Sequence, residues 1–194
     1  MVERMNTVSL EALKSGNREA FAKLVEETSP QIYQIALRIL GNAQDAEDAL
    51  QETYIKALHS LPDFEGRSNL NTWLYRIVVN EALMIIRKHK TSPLTLDESD
   101  QDYAVATDQM KIVGWQSLPE GELLSNEARF FLDKAVMNLS PVLRVVFVMR
   151  DLQGLSIQQT AETLGITDST VKTRLSRARL ALRQELSQYY AERL

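Results

Sequence analysis

Residues 156–183 constrain this chain more than any other stretch, because they combine helix-start signals, a turn and one strongly cationic helix. Ser156, followed three residues later by Gln159, forms the capping-box pattern that begins a helix. Gly165 predicts the end of that helix, since glycine tolerates the left-handed conformation of a helix C-cap. Thr167 or Asp168 then caps a longer helix. Its apolar residues recur at three- and four-residue spacing and form one buried stripe, Val171, Leu175, Ala178, Leu182 and Leu186.

The other faces of this second helix are cationic. Residues 168–183 contain five Lys and Arg side chains against a single acid, Asp168. Two helices joined by a tight turn are the layout of a helix-turn-helix, which places its second helix in the DNA major groove. An amphipathic surface helix can also be basic without touching DNA. The capped helix and glycine turn in front of this one favour the DNA-binding interpretation.

Charge is distributed unevenly along the 194 residues, whose formal net charge is −4. Residues 91–128 carry one lysine against eight acids, whereas residues 129–194 carry ten basic and six acidic side chains. We therefore predict a domain at 1–90, an acidic linker at 91–125 and a DNA-binding domain at 126–194. Phosphate neutralisation supplies most sequence-independent DNA affinity, so an acidic protein of this kind should bind duplex DNA weakly without a partner.

Helical periodicity, with only seven glycines and five prolines, predicts an all-α protein. Ser140-Pro141 is a helix-start signal in the second domain. The expected helices are 8–14, 17–40, 43–60, 70–90, 126–139, 141–152, 157–164 and 168–190.

Several functional classes are excluded. The sequence has no apolar run long enough to span a bilayer, and its polar N-terminal segment is unlike a signal peptide. It has no cysteine, and hence no disulfide framework or thiolate metal site. No catalytic triad or glycine-rich phosphate loop is present. We expect a cytoplasmic protein without membrane insertion, cofactor or metal.

The helix expected at 43–60 has two contrasting faces. One is apolar and predicted to be buried: Ala46, Ala49, Leu50, Thr53, Tyr54, Ala57, Leu58 and Leu61. The opposite face carries Asp45, Asp48, Glu52, Lys56 and His59, with Gln51 beside them. This polar face is either simply solvated or a docking surface for a basic partner, and the pattern alone supports both interpretations.

The stretch that starts at Phe64 predicts a polar loop and then a helix capped by Asn69 or Asn71. Leu74, Val78, Ala82 and Ile85 form the core stripe of this helix. Another face carries Trp73, Arg76, Asn80, Met84 and Arg87. A lone tryptophan is usually a core residue. Aromatic, guanidinium and amide groups on one face, however, suit stacking on unpaired bases while holding phosphates.

Three segments, in this order, resemble the bacterial RNA polymerase sigma factors of the extracytoplasmic-function (ECF) type in the sigma-70 family. They are DAEDALQETYIKAL, FEGRSNLNTWLYRIVVN and LSPVLRVVFVMRDLQGLSIQQTAETLGITDSTVKTRLSRARLALRQEL. The resemblance covers about residues 20–186. It implies two small helical domains, sigma regions 2 and 4, and a non-enzymatic transcription initiation factor that directs core RNA polymerase to promoters.

The resemblance also implies roles for individual residues. The acidic face that would dock on the coiled coil of the largest polymerase subunit is Asp45, Asp48, Gln51 and Glu52. The residues that would capture melted −10 DNA are Phe64, Arg67, Ser68, Asn69, Asn71, Trp73, Arg76 and Asn80. The residues that would contact −35 duplex DNA are Arg150, Thr170, Lys172, Thr173, Arg174, Ser176, Arg177 and Arg179. Among these, Lys172 and Arg177 are the first candidates for base readout, whereas Arg150, Arg174 and Arg179 would hold phosphates or brace the helix.

The implied partners are core RNA polymerase, through its coiled coil and its flap, promoter DNA and an anti-sigma factor. Two other classes fit parts of the sequence. An ordinary regulator would bind palindromic operators as a dimer without polymerase. A helical metalloenzyme would use Asp45, Asp48, Glu52 and His59, but it usually needs Glu-x-x-His pairs on facing helices, which are absent.

Overall fold

The computed structural model describes residues 9–66, 68–89 and 126–191, and every regular element in these ranges is helical. The elements are α1 (Leu10–Lys14), α2 (Arg18–Leu40), α3 (Ala43–Ser60), α4 (Leu70–His89), α5 (Asn126–Asn138), α6 (Pro141–Phe147), a π-helical turn (Val148–Leu152), α7 (Ile157–Leu164) and α8 (Asp168–Ala191). The predicted all-α class is confirmed, and the helix bounds agree closely with the sequence pattern, except that the helix expected at 141–152 ends at Phe147 and continues as the π-helical turn. The acidic linker at 91–125 and Arg67 lie outside the described residues.

The first module, α1–α4, is built on the long helices α2, α3 and α4. Its core includes the fully buried side chains Leu24, Ile32, Ile35, Ile39, Ala49, Ala57, Leu74 and Val78. Burying a large aliphatic side chain contributes about 1.5–3 kcal/mol. Asn42 Oδ1 caps α3 by accepting from the amides of Gln44 and Asp45, and Asn69 Oδ1 accepts from the Asn71 amide at the start of α4. Of the two cap candidates for α4, Asn69 is therefore the cap.

The second module, α5–α8, packs α6 and the π-helical turn against α8. Val145, Val146, Phe147, Val148 and Met149 are all buried in this core. The predicted stripe of α8 faces them, with Val171, Ala178 and Leu182 fully buried and Leu175 nearly so. Ser140 and Pro141 begin α6 as predicted, although the Ser140 side chain makes no capping hydrogen bond.

The two modules are in contact. The buried guanidinium of Arg144, on α6, donates to the carbonyl of Ile39 at the end of α2 (2.6 Å) and to those of Met137 and Leu139 in its own module. Gln31 Nε2 donates to Gln153 Oε1 (3.0 Å). Leu83 of α4 lines a small cavity together with Val142, Val145, Leu164, Ile166 and Arg174 of the second module. The described residues thus form a closed arrangement in which α4 lies against the second module.

Candidate functional site

The turn between α7 and α8 has the geometry expected of a helix-turn-helix. Ser156 Oγ accepts from the Gln159 amide (3.1 Å) and Gln159 Oε1 accepts from the Ser156 amide (2.8 Å), which completes the predicted capping box. Gly165 closes α7 with φ of 65°, in the left-handed region that favours glycine. Thr167 Oγ1 accepts from the Thr170 amide (3.2 Å). Thr167, rather than Asp168, therefore caps α8.

The outer face of α8 carries the predicted readout residues. Lys172, Thr173 and Ser176 are exposed, and Thr170 and Arg177 are half-buried beside them. At about 100° per residue, all five lie on the half of the helix that is opposite the buried stripe. The Thr173 hydroxyl donates to the Ser169 carbonyl (3.0 Å), so its oxygen keeps its acceptor capacity for a ligand. This face thus combines cationic donors with hydroxyl groups, which suits base edges and phosphates.

The other three predicted cations are placed differently. Arg174 is only 4% exposed and lies at the junction with α4. Arg179 is half-buried and donates two hydrogen bonds to Asp151, and Arg150 is half-buried next to that carboxylate in sequence. The hydrogen bond to Asp151 raises the pKa of Arg179 above its ordinary value, against the opposing effect of burial. DNA contact by these cations remains a prediction, but the surroundings of Arg174 and Arg179 favour the bracing role.

The loop before α4 and the outer face of α4 form a second candidate surface. Phe64 is 8% exposed, and its ring lies 5.0 Å from that of half-buried Trp73. Arg76 and Asn80 are exposed at positions that follow Trp73 by three and seven residues, so they share its side of the helix. Phe64 therefore packs against Trp73 instead of presenting its own ring to solvent.

The loop residues adjoin this face. Asn69 is exposed, and Ser68 and Asn71 are half-buried. Gly66 adopts φ of 73°, a conformation that bends the loop and that side chains other than glycine rarely adopt. The structure thus brings the predicted −10 residues, Arg67 excepted because it lies outside the described residues, to the N-terminal end and outer face of α4.

The polar face of α3 is largely open. Asp48, Gln51 and Glu52 are exposed. Asp45 is half-buried, and its Oδ2 lies 3.6 Å from His89 Nδ1 of α4, next to the second module. Three of the four predicted polymerase-binding residues therefore form an accessible acidic surface, and Asp45 lies at its edge.

The prediction that Leu58 belongs to the buried face of α3 is wrong. Leu58 and Ile55 are each 50% exposed. Successive residues are about 100° apart around a helix, which turns Leu58 away from buried Ala57 and towards Gln51. Ile55 also lies on this side of α3, and the sequence pattern did not identify it. Its position seven residues after Asp48, about two helical turns, is the signal that places it there. The acidic surface thus continues into an exposed apolar patch, Ile55 and Leu58.

Two sigma-factor family models match this chain: Sigma-70 region 2 over residues 24–91 and Sigma-70, region 4 over residues 132–182. The chain is 35% identical to the ECF RNA polymerase sigma factor SigW of Bacillus subtilis, in an alignment that covers 95% of this chain and 98% of that protein. This chain belongs to the ECF sigma factor family. A second relative, the ECF RNA polymerase sigma-E factor of Haemophilus influenzae, is 32% identical over 92% of this sigma factor and 94% of its own length.

A solved structure has the same fold. The sigma factor RpoE from Bartonella quintana, in complex with the anti-sigma factor NepR, matches with a TM-score of 0.64 and 27% identity, covering 87% of this sigma factor and 98% of that chain. The predicted division into a region 2 module and a region 4 module is confirmed, because the two family models match separate parts of the chain. The exact domain bounds at 1–90 and 126–194 remain predictions.

Family membership establishes the general activity. Sigma factors are transcription initiation factors that bind core RNA polymerase and promoter DNA, and they are not enzymes. Among the described residues, no three His, Asp or Glu side chains gather into a possible metal site. No helix in the same ranges is both long and apolar enough to cross a membrane.

Proposed function

We propose that this sigma factor reads the −35 element with the outer face of α8. Lys172 and Arg177 would donate to guanine O6 and N7, the commonest specific contact in the major groove. Thr170, Thr173 and Ser176 would supply hydroxyl contacts between them. Lys172, Thr173 and Ser176 are exposed on a helix capped at Thr167, with half-buried Thr170 and Arg177 beside them, and this arrangement supports the assignment. Arg150, half-buried in the π-helical turn, would hold a phosphate.

The −10 element would be captured as separated strand by the loop before α4 and by the face of Trp73, Arg76 and Asn80. Unpaired bases offer both a ring face and a Watson–Crick edge, which stacking and amide groups can bind. The Phe64 ring packed against Trp73 would hold the indole in place for such a contact. Arg67, Ser68, Asn69 and Asn71 would bind the flipped base. Because these sites accept only unpaired bases, their binding energy helps to open the duplex.

Core polymerase would dock on α3. The acidic surface formed by Asp48, Gln51 and Glu52, with Asp45 at its edge, suits a basic partner, which we assign to the coiled coil of the largest subunit. The exposed apolar patch of Ile55 and Leu58 would add buried area to this contact. The second module would bind the flap. A protein with these partners works in the cytoplasm, where polymerase and DNA are found.

Simultaneous reading of both elements requires the closed arrangement to open. The −10 and −35 elements are separated by about 25 base pairs, or roughly 85 Å at about 3.4 Å per pair. A compact chain of this length is only about 40 Å across. The contacts of Arg144 with Ile39 and of α4 with the second module must therefore break when polymerase holds both modules on the promoter.

An anti-sigma factor would stabilise the closed arrangement of the two modules instead of the open one. RpoE of Bartonella quintana is bound to the anti-sigma factor NepR in the matching structure. By analogy, an inhibitor of this sigma factor would cover the acidic surface of α3 and hold the modules together, which prevents polymerase binding.

The observation that carries the proposed function is the pairing of an exposed readout face on α8 with an exposed acidic surface on α3 in one chain. Run-off transcription with core polymerase on a promoter library tests it. We expect discrete start sites preceded by shared −35 and −10 sequences. Initiation no more selective than that of core polymerase alone would refute the proposal. Strong palindromic duplex binding by the protein alone would identify an ordinary regulator instead.

A further inference from the structure

The guanidinium of Arg179 is held by a carboxylate in the module core. Arg179 Nε donates to Asp151 Oδ2 at 2.8 Å and Nη2 donates to Asp151 Oδ1 at 2.6 Å. The two bonds form a bidentate fork, the strongest arrangement between these groups. The Asp151 side chain is only 10% exposed, so water competes little for it. The pair joins the π-helical turn to α8 through residues that are 28 positions apart in sequence.

The Asp151 end of this pair is fixed to a rigid support. Asp151 lies in the π-helical turn, which follows directly on buried Phe147. The Gln153 amide donates to the Val148 carbonyl (2.9 Å) and the Leu155 amide donates to that of Met149 (3.0 Å). The wider turn and the buried side chains around it leave the carboxylate little freedom to move. Such turns are rare and occur frequently at functional sites.

Arg179 lies on α8, the helix proposed to read the −35 element, on the same side as Lys172. Arg179 follows Lys172 by seven residues, which places both on nearly the same side of α8. Next to Arg179 in sequence, Ala178 is fully buried against the module core. A bond from Arg179 to a fixed carboxylate therefore opposes rolling of α8 about its axis, and such rolling would move Lys172 away from a base edge.

We infer that Asp151 and Arg179 form a positioning pair that sets the orientation of α8 in the major groove, and that Arg179 is not a phosphate ligand. This inference rests on the proposed function, in which the outer face of α8 reads the −35 element. Asp151 and Arg179, both in the second module, would then affect promoter choice without contacting DNA.

The phosphate alternative makes opposite predictions. If Arg179 bound a phosphate, Asp151 would compete for its guanidinium and place a negative charge near the DNA backbone. Asp151→Asn would then strengthen DNA binding. In the positioning role, Asp151→Asn weakens −35 reading because the neutral amide leaves the fork incomplete. Arg179→Lys separates the roles in a second way, since lysine keeps the charge that a phosphate needs but cannot form the fork.

The test uses holoenzyme assembled from core polymerase and the full chain. Initiation is measured on a promoter with a matched −35 element and on one with that element scrambled. We expect Asp151→Asn, Arg179→Gln and Arg179→Lys each to lower the matched-to-scrambled ratio roughly tenfold, as for loss of a charged hydrogen bond. The double variant Asp151→Asn/Arg179→Gln should be no worse than the more severe single variant, because both remove one interaction.

Salt dependence supplies a readout that a general loss of stability would not reproduce. Loss of a phosphate contact lowers the slope of log affinity against log salt by about one. We expect Arg179→Gln and Arg179→Lys to leave that slope unchanged. Arg183→Gln, which removes an exposed cation one turn further along α8, is the matched control for charge.

The outcomes are distinguishable. A raised ratio for Asp151→Asn, an unchanged ratio for Arg179→Lys, or additive effects in the double variant would overturn the positioning pair. In those cases Lys172→Ala would still lower the ratio, and the proposed function would stand. A wild-type holoenzyme with no preference for the matched −35 element would overturn both.

Discussion

Lys56 of α3 lies with its Nζ 2.6 Å from Glu81 Oε1 of α4, and the Glu81 side chain is only 7% exposed. The same ammonium lies 3.8 Å from Glu52 on the acidic surface of α3. One lysine thus joins the helix proposed to dock on polymerase to the helix proposed to capture the −10 strand. Its interaction with a buried carboxylate makes the relative position of the two helices sensitive to this residue.

Removal of that ammonium should destabilise the first module. Lys56→Met leaves the Glu81 carboxylate buried without its partner, and we expect a loss of about 1–3 kcal/mol in the free energy of unfolding. Urea unfolding of the full chain measures it. Lys23→Met, on an exposed position of α2, is the matched control. Equal unfolding midpoints for the two variants would show that the pair contributes nothing.

Substitution of the proposed readers should relax promoter choice. Lys172→Ala and Arg177→Ala each remove a donor to base edges, and we expect each to cost about 1–3 kcal/mol of discrimination at one position of the −35 element. The rate of initiation by holoenzyme on promoters with single-base changes in the −35 element identifies the base position that each residue reads. Lys134→Ala removes an exposed cation of α5 as a control. Wild-type preference in both reader variants would place the readout face elsewhere.

Charge reversal on α3 should separate polymerase binding from promoter choice. Asp48→Lys and Glu52→Lys invert the acidic surface, so we expect weaker capture of core polymerase in a pull-down. The remaining holoenzyme should keep its promoter sequence preference, since both residues lie on α3 and neither belongs to the proposed −10 or −35 residues. Glu26→Lys, an exposed reversal on α2, should leave capture intact. If it weakened capture as much, the effect would be one of net charge alone.

A change at the module junction should open the free protein. Leu83→Arg places a cation beside buried Arg174 in the small cavity between α4 and the second module. Because the chain contains no cysteine, Ser15→Cys and Ser187→Cys provide specific sites for a dye pair. We expect lower energy transfer in Leu83→Arg than in wild type. Ile55→Arg, on the exposed side of α3, controls for the added charge, and identical transfer in all three would argue against a closed arrangement in solution.

Alkaline pH should destabilise the first module through Tyr75. Burial raises the pKa of this phenol from its ordinary value of 10.0 to about 12. The unfolded chain then loses its proton at lower pH than the folded chain, so stability present below pH 10.0 falls as the pH rises towards 12. Thermal unfolding midpoints of wild type and Tyr75→Phe should diverge in that window. Parallel curves would contradict the assignment.

Local features of this sigma factor follow from the sequence. The capping box of Ser156 and Gln159, the turn at Gly165 and an asparagine cap before α4, at Asn69 or Asn71, depend on residues within four positions of one another. The apolar stripe of α8 is set by helical periodicity, and Val171, Leu175, Ala178 and Leu182 are buried as the spacing requires, whereas Leu186 is only partly buried. The candidate readout face of Lys172, Thr173 and Ser176 follows from the same stripe, because whatever lies opposite a buried face is exposed.

Other features, such as the burial of individual side chains and the partners of charged groups, depend on which helices pack against each other. Ala57 of α3 is buried whereas Leu58 beside it is exposed, because α2 and α4 cover only part of the circumference of α3. Five cations on α8 are alike in sequence, yet Asp151 binds Arg179 and the junction with α4 buries Arg174. Periodicity predicts the side of a helix on which a charge lies. The partner of that charge is chosen by long-range packing, which only the tertiary structure decides.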